Sequence, residues 1–424
     1  MKKYKYIAVW LMTAFLLQLG TPFSVLVHAV SGGLVFTSLG DGTCVLSDVG
    51  DCTDADIAVP EVDPDTGDKV VAIGNDAFRS AGFVTSIALP DSIKTIGKRA
   101  FYKCTSLTDI VLPAGIQSVG DNAFYGCTLL TDILIPEGVQ TIGNECFAEC
   151  DSLPSLSFPE SVTDLGDGMF SGCDALMQVT LPTAIKRIPD RFFSGCTSLV
   201  RAGLKDGIEA IGLAAYAGCT SLYEITFPQT LTEIGASAFA GCTALAELQL
   251  PASLVSMGSN AFLGCSALTE LTLPGIEEIP YGAFEACVSL KTLVISEGTK
   301  SIAGYAFGQC TGLQRVTLPA SLTSITAGAF AGDRQIISAS YGGNPSDLAE
   351  KDDNGTLFAR LRYLAGDANL DGVVNAEDVA LILSAIENTK VLQLLTFGAL
   401  DVTADGYVDA DDLALTLSII EGTI

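Results

Sequence analysis

Two residue types are almost missing from this chain of 424 residues, which contains one histidine, His28, and one tryptophan, Trp10. Both lie in the first 29 residues. Three lysines among the first five residues precede an apolar run over 6–19, and Ala29 supplies the small residue that a signal peptidase prefers. The sequence therefore predicts a signal peptide over 1–29 and a secreted chain. The run is shorter than a transmembrane helix requires, so a retained anchor is the less favoured alternative.

The mature chain then lacks histidine and tryptophan, and this absence excludes several classes of chemistry. No Ser-His-Asp or Cys-His arrangement and no histidine-ligated zinc or haem site is possible. Hydrolysis by a pair of carboxylates needs no histidine and stays open. The net charge of −27 repels phosphate, so we expect no nucleic acid partner, whereas hard cations are favoured.

A 23-residue repeat occupies the middle of the chain. An aromatic residue recurs twelve times from Phe78 to Phe330, always 23 residues apart except for one step of 22, and cysteine follows three residues after ten of them. The unit is C-x-x-L-x-x-I-x-L-P-x-x-L-x-x-I-G-x-x-A-F-x-x. Proline lacks an N–H, so it ends a short strand at the same height in each coil. One repeat cannot bury its apolar residues alone, and stacked coils form a continuous core.

This pattern resembles the leucine-rich repeats of bacterial surface antigens, which implies an α/β solenoid of short parallel strands with a helical or irregular stretch in each coil. We expect an N-terminal β cap over 30–65, the repeat array over 66–340 with a last strand at 336–339, and a linker over 341–364. An insertion over 62–69 should form a projecting loop. Residues 199–206 depart from the repeat, with Ala202 at a branched aliphatic position and Lys205 at the proline position, and predict weaker packing there.

The thirteen cysteines leave two interpretations open. Ten occupy one repeat position, where parallel side chains do not converge as a disulfide requires. We expect these to be buried thiols. Cys44 and Cys52 flank an expected hairpin in the cap, and a disulfide between them is as plausible as two free thiols.

A second repeat lies in the last sixty residues, where two loops match the calcium-binding pattern D-x-[DN]-x-[DN]-G. Gly372 and Gly406 allow the sharp turn in each loop. The loops provide hard oxygen ligands at positions 1, 3, 5, 7, 9 and 12, with position 7 acting through its carbonyl, and two calcium ions are expected. These positions are Asp367, Asn369, Asp371, Val373, Asn375 and Asp378 in the first loop, and Asp401, Thr403, Asp405, Tyr407, Asp409 and Asp412 in the second.

The duplicated loop and helix over 365–424 resemble a type I dockerin, a small all-α domain. The resemblance implies calcium-dependent docking to the cohesin of a scaffoldin, as in the cellulosomes of anaerobic bacteria, and attachment to such a complex at the cell surface. It assigns cohesin contacts to loop positions 10 and 11 and to the following helix. In this sequence the corresponding residues are Ala376, Glu377, Leu383, Ser384, Ala410, Asp411, Leu417 and Ser418. The acidic residues at position 11 differ from those of familiar dockerins, which leaves the cohesin class open.

The residues between the inward aliphatic positions of each strand form the outward face that solenoids use for partners, expected to be concave. The candidate ligand-binding residues on it are Arg201, Tyr223, Glu224, Glu247, Glu270 and Arg315. A plain solvated face is the alternative.

We therefore expect a secreted, non-catalytic component of a cellulosome-like assembly, whose array recognises an unidentified protein or glycan. Two other functions remain open: a polysaccharide-degrading component, and an adhesin or inhibitor acting on host or competitor proteins.

Overall fold

The computed structural model describes residues 31–333, 336 and 338–342. The described residues form a solenoid with two rows of parallel strands, and most coils add one strand to each row. The predicted signal peptide and dockerin lie outside the described residues. The strand β25 extends to Tyr341, the first residue assigned above to the linker, and begins at Ser338 rather than at residue 336.

The first row lies at the C-x-x-L-x-x-I-x-L segment of the repeat, and we call its outer side the long-strand face. Its strands are β3 (Asp56–Ala58), β5 (Ser86–Ala88), β7 (Asp109–Val111), β10 (Ser155–Ser157), β12 (Gln178–Thr180), β14 (Arg201–Gly203), β16 (Glu224–Thr226), β19 (Glu270–Leu273), β21 (Thr292–Ile295), β23 (Arg315–Leu318) and β25 (Ser338–Tyr341). Residues one repeat apart stand side by side, as Arg201 does with Glu224. The inward residue of each strand is therefore stacked on its counterpart in the next coil.

The second row lies just before the conserved glycine position of the repeat and consists mainly of two-residue strands. They are β4 (Lys69–Ile73), β6 (Thr95–Ile96), β8 (Ser118–Val119), β9 (Thr141–Ile142), β11 (Asp164–Leu165), β13 (Arg187–Ile188), β15 (Ala210–Ile211), β17 (Glu233–Ile234), β18 (Ser256–Met257), β20 (Glu278–Ile279), β22 (Ser301–Ile302) and β24 (Ser324–Ile325). The glycine that follows allows close approach of neighbouring coils. A Cβ at Gly258, for example, would lie 2.2 Å from the backbone nitrogen of Ala236.

An antiparallel hairpin closes the amino end of the array. It is formed by β1 (Val35–Ser38) and β2 (Thr43–Asp48), and β2 pairs in parallel with β4. Cys44 lies inside β2, so the two cap cysteines do not flank the hairpin as expected. Both are free, buried thiols, and Cys44 Sγ contacts the carbonyl of Asp68 at 3.4 Å. The insertion forms a small loop closed by an antiparallel bridge between Val62 and Lys69.

The third side of each coil contains turns, and the described residues contain no helix, so the expected α/β character is not found in this part of the chain. Two positions in each coil, two residues before and two after the aromatic, have positive φ, as at Arg99 (55°) and Lys103 (58°). A left-handed residue interrupts a right-handed helix. The backbone N–H groups instead donate to the next coil, as from Phe101 N to Ala123 O at 2.8 Å.

The core is a set of ladders that run the length of the array. The twelve repeat aromatics are buried and stack ring on ring, with neighbouring centroids such as those of Phe239 and Phe262 5.0 Å apart. The cysteines at the repeat position are free and buried, which confirms the interpretation as thiols. Each points its sulfur at the carbonyl of an aromatic in the preceding coil, as Cys173 Sγ does to Phe147 O at 2.9 Å. The stacked apolar set explains why coils of two- and three-residue strands are stable together.

Candidate protein-binding face

On the long-strand face, the residues that alternate with the inward residues of each strand are exposed and form a row along the array. Arg201, Tyr223 and Glu224 are brought together on neighbouring coils. The Arg201 guanidinium lies 5.0 Å above the ring centre of Tyr223, and its Nε is 3.2 Å from Glu224 Oε2. Arg201 Nε also donates to the Tyr223 hydroxyl. An exposed ion pair stabilises a fold by only about 0–1 kcal/mol, so these charges exchange partners at little cost.

The next two coils carry the acidic part of the same face. Glu247 and Glu270 are exposed and line one groove of about 540 Å³ together with Gln249 and Thr272. The described residues contain no ion pair to either carboxylate. Their charges are therefore available to a basic partner.

Arg315 does not belong to this group. It stands in register with Thr292, which in turn stands in register with Glu270, so two coil steps separate Arg315 from the acidic groove. The structure thus places five of the six candidate residues in a run of four neighbouring coils and leaves the sixth outside.

Sequence reasoning noticed the altered coil around Ala202 but missed the cavity that it creates. Residues from 177 to 216 line a recess of about 570 Å³ beside Arg201. Ala202 and Leu204 are only partly buried, which confirms the weaker packing predicted there. A comparison of each coil with its neighbours at every repeat position could have indicated the cavity. At the aromatic position, for example, Tyr216 replaces phenylalanine in this coil.

Two kinds of feature, a metal-binding cluster and a membrane-spanning helix, are not found in the described part of the chain. It contains no cluster of three or more acidic, cysteine or histidine side chains suited to a metal ion. Residues 31–333 and 338–342 also include no helix long and apolar enough to cross a bilayer. The predicted calcium ligands and cohesin contacts lie outside the described residues, and those assignments stay predictions.

These features define a leucine-rich repeat solenoid with a charged outward face. The chain belongs to the family of the BspA type leucine rich repeat region, which matches residues 71–200, 198–296 and 277–350. The C-terminal segment 365–417 matches the dockerin type I domain. Domains of that type bind calcium and dock onto cohesins.

Solved structures support the fold assignment. A leucine-rich repeat protein from Bacteroides ovatus is 27% identical, with a TM-score of 0.66, over 76% of this chain and 90% of that one. A leucine rich cell surface protein from Faecalibacterium prausnitzii is 30% identical, with a TM-score of 0.53, over 75% of this chain and 96% of that one. No curated protein matches the chain. Both solved relatives are bacterial repeat proteins, as the sequence resemblance implied.

Proposed function

We propose that this chain is a secreted, non-catalytic recognition protein of a cellulosome-like assembly. The observation that carries the proposal is the combination of a complete repeat solenoid with a dockerin type I match at residues 365–417. The dockerin attaches the chain to the cohesin of a scaffoldin, and the solenoid binds a second protein. The signal segment over 1–29 delivers the chain to the cell exterior.

The donor set of the two C-terminal loops fits calcium. Each loop offers side-chain oxygens at positions 1, 3, 5, 9 and 12, together with a glycine at position 6. Asp367, Asn369 and Asp371 begin the first set, and Asp401, Thr403 and Asp405 begin the second. Calcium neutralises these carboxylates, so binding and folding of this segment are coupled. We expect two ions, with the second loop weaker because Thr403 is a poorer ligand than Asn369.

A calorimetric titration tests the docking part of the proposal. The mature chain is titrated with a panel of cohesins in calcium and again in chelator. We expect binding in calcium and none in chelator. Asp371→Ala combined with Asp405→Ala should abolish binding even in calcium, because both loops lose a central ligand. The matched control is Asp109→Ala together with Asp132→Ala, which removes two carboxylates from the array. Cohesin binding retained by the loop variant contradicts the mechanism.

Protein recognition by the array is supported by the charges of the long-strand face. Glu247 and Glu270 line one groove and have no ion-pair partner among the described residues. Solenoids present such extended faces to proteins. Aromatic platforms of the kind that carry sugars are scarce there, since Arg201 is stacked on one side of the Tyr223 ring. A pull-down with the mature chain tests this: we expect captured protein that Glu247→Gln with Glu270→Gln releases, whereas captured glycan alone contradicts it.

A further inference from the structure

The seventh coil, residues 196–218, differs from the other coils at four repeat positions at once. Two of them lie on β14, where Ala202 replaces a larger aliphatic residue and Gly203 replaces a residue with an outward side chain. At the same two positions the adjacent coils have Val179 and Thr180 on one side and Ile225 and Thr226 on the other. A third change puts Lys205 at the proline position, and a fourth puts Tyr216 in the aromatic stack.

The small residues on β14 open the sheet down to the aromatic core. Phe193 and Tyr216, which are stacked in the interior of the array, line the recess of about 570 Å³. Leu181 and Leu204 form part of its wall and are only partly buried. A volume of this size is typical of a cavity that accepts a ligand group. In an array where the same position is filled in the neighbouring coils, the recess is a local property of this one coil.

Tyr216 gives the recess a polar group. The residue is 1% exposed and lines the recess. Its ring is tilted by 30° from that of Phe193, whereas the rings of Tyr216 and Phe239 are 8° apart. Every other described ring at this stack position is phenylalanine, so the hydroxyl is a feature of this one coil.

The rim of the recess is apolar on one side and basic on the other. Met177 and Val200 are 56% and 39% exposed. Lys205 Nζ donates to the carbonyl of Leu181 at 2.6 Å, and Arg201 lies beside it on the same face. The acidic groove of Glu247 and Glu270 begins two coils further along the array. One face therefore offers an apolar recess and, next to it, two carboxylates without an ion pair.

We propose that the recess of the seventh coil is the anchor pocket for one large apolar side chain of a protein ligand, whose basic residues bind Glu247 and Glu270. The proposal rests on the proposed function only in taking a protein as the ligand of the array. Cohesin docking does not involve this pocket, so either idea can fail without the other.

The spacing of the coils sets the distance between the apolar anchor and the basic residues in such a ligand segment. Coils stand about 4.8 Å apart, so Glu247 and Glu270 lie about 10 Å and 14 Å along the array from the recess. An extended peptide advances about 3.3 Å per residue, and its successive side chains point to opposite sides. The residues two and four positions from the anchor lie about 7 Å and 13 Å away on the anchor's side, where long basic side chains reach the two carboxylates. The fully buried anchor gives affinity, and the exposed carboxylates give selectivity for positive charge. A neutral glycan offers neither group in this arrangement.

Fluorescence anisotropy with a synthetic peptide tests the pocket in the mature, calcium-loaded chain. The labelled peptide carries one tryptophan and two lysines placed two and four residues beyond it. Ala202→Ile with Gly203→Thr restores the repeat and fills the recess, so this variant should fold at least as well as the native chain. We expect it to bind the peptide on the order of 30-fold more weakly, the effect of removing one hot-spot contact. Val111→Thr, a change toward the repeat on the same face but four coils before the recess, should leave binding unchanged.

Two further arms separate the anchor from the charges. Replacing the tryptophan of the peptide by alanine should weaken binding to the native chain as much as filling the recess does, and should cause no added loss in the filled variant. Glu247→Gln with Glu270→Gln should weaken binding several-fold and flatten its salt dependence. The proposal is overturned if the native chain does not bind the tryptophan peptide, if the filled variant binds it equally well, or if the alanine peptide loses no affinity.

Discussion

Asp333 provides a quantitative test of how much the row of buried cysteines stabilises the array. It occupies the repeat position that cysteine holds in the ten preceding coils, and it is 3% exposed. Neither carboxylate oxygen makes a well-formed hydrogen bond among the described residues, and the nearby backbone N–H of Cys310 offsets only part of the effect of burial on the pKa. Burial raises the pKa of this carboxyl from 3.8 to about 8. The cysteine at the same position in the coil before, Cys310, points its sulfur at Phe284 O at 3.2 Å instead.

The sign of the pH effect follows from the raised pKa. Between pH 3.8 and about pH 8 the folded chain keeps a proton on Asp333 that the unfolded chain has released, so stability falls as pH rises through this window. Holding that proton at pH 7 costs about 4 kcal/mol, and at pH 5 about 2 kcal/mol, at 1.36 kcal/mol for each pH unit above 3.8. Above about pH 8 the cost is constant, because the folded carboxyl is then ionised as well.

Urea unfolding of the mature chain, followed by circular dichroism from about pH 5 to pH 8, measures this cost. Asp333→Cys restores the ladder and should stabilise the array by a few kcal/mol at pH 7, with a smaller gain at pH 5. Asp333→Asn removes the titration but keeps a polar group, so it should lose the same pH dependence and gain less stability. If the native chain and both variants show one common pH dependence, the assigned role of Asp333 is wrong.

Three shorter predictions concern the core. Phe239→Ala removes a fully buried ring 5.1 Å from Tyr216 and 5.0 Å from Phe262, and should lower the free energy of unfolding by about 3–5 kcal/mol in thermal or urea unfolding; a loss below about 1 kcal/mol contradicts the stack. Gly258→Ala should lower the melting temperature, because its Cβ would meet the Ala236 backbone, whereas Gly203→Ala, with open space around it, should not; equal effects argue against the close coil contact. The ladder thiols should resist alkylation until the chain is denatured, because burial raises the pKa of Cys104 and Cys242 to about 12 and keeps them protonated; rapid labelling of the native array refutes this.

The repeat unit could be predicted from the sequence because the spacing of its residues determines which side chains are stacked in neighbouring coils. Phe101 and Phe124 stack because they occur one repeat apart, and Cys104 and Cys127 are buried at one position for the same reason. The parallel register of the long-strand face follows directly from the recurring step of 23 residues, or 22 in one coil. These features depend only on which residues recur.

The third side of each coil, which contains the turns, was less predictable. Whether that side forms a helix depends on backbone conformation, and the positive φ at non-glycine residues such as Glu145 and Glu149 carries no compositional signal. The backbone there is held by bonds between coils, as from Phe147 N to Met169 O at 3.0 Å, which no local propensity describes.

The sequence predicted which residues are exposed on the candidate face, but it did not predict the contacts between them or the recess. The exposed acidic residues at Glu224, Glu247 and Glu270 follow from the alternation of each strand. The ion pair of Arg201 with Glu224 and the recess beside it depend on which side chains the neighbouring coils supply. The sequence clue was present at Ala202 and Tyr216, but only the structure shows that both residues line the same cavity.

We expect the array to fold without metal and the C-terminal segment to fold only when calcium is bound. Hydrogen–deuterium exchange of the whole mature chain, compared in calcium and in chelator, measures both parts at once. We predict that calcium slows exchange over 365–424 and leaves the array unchanged. Equal exchange over 365–424 in the two buffers would contradict the coupling of this segment to calcium and, with it, the proposed mode of attachment.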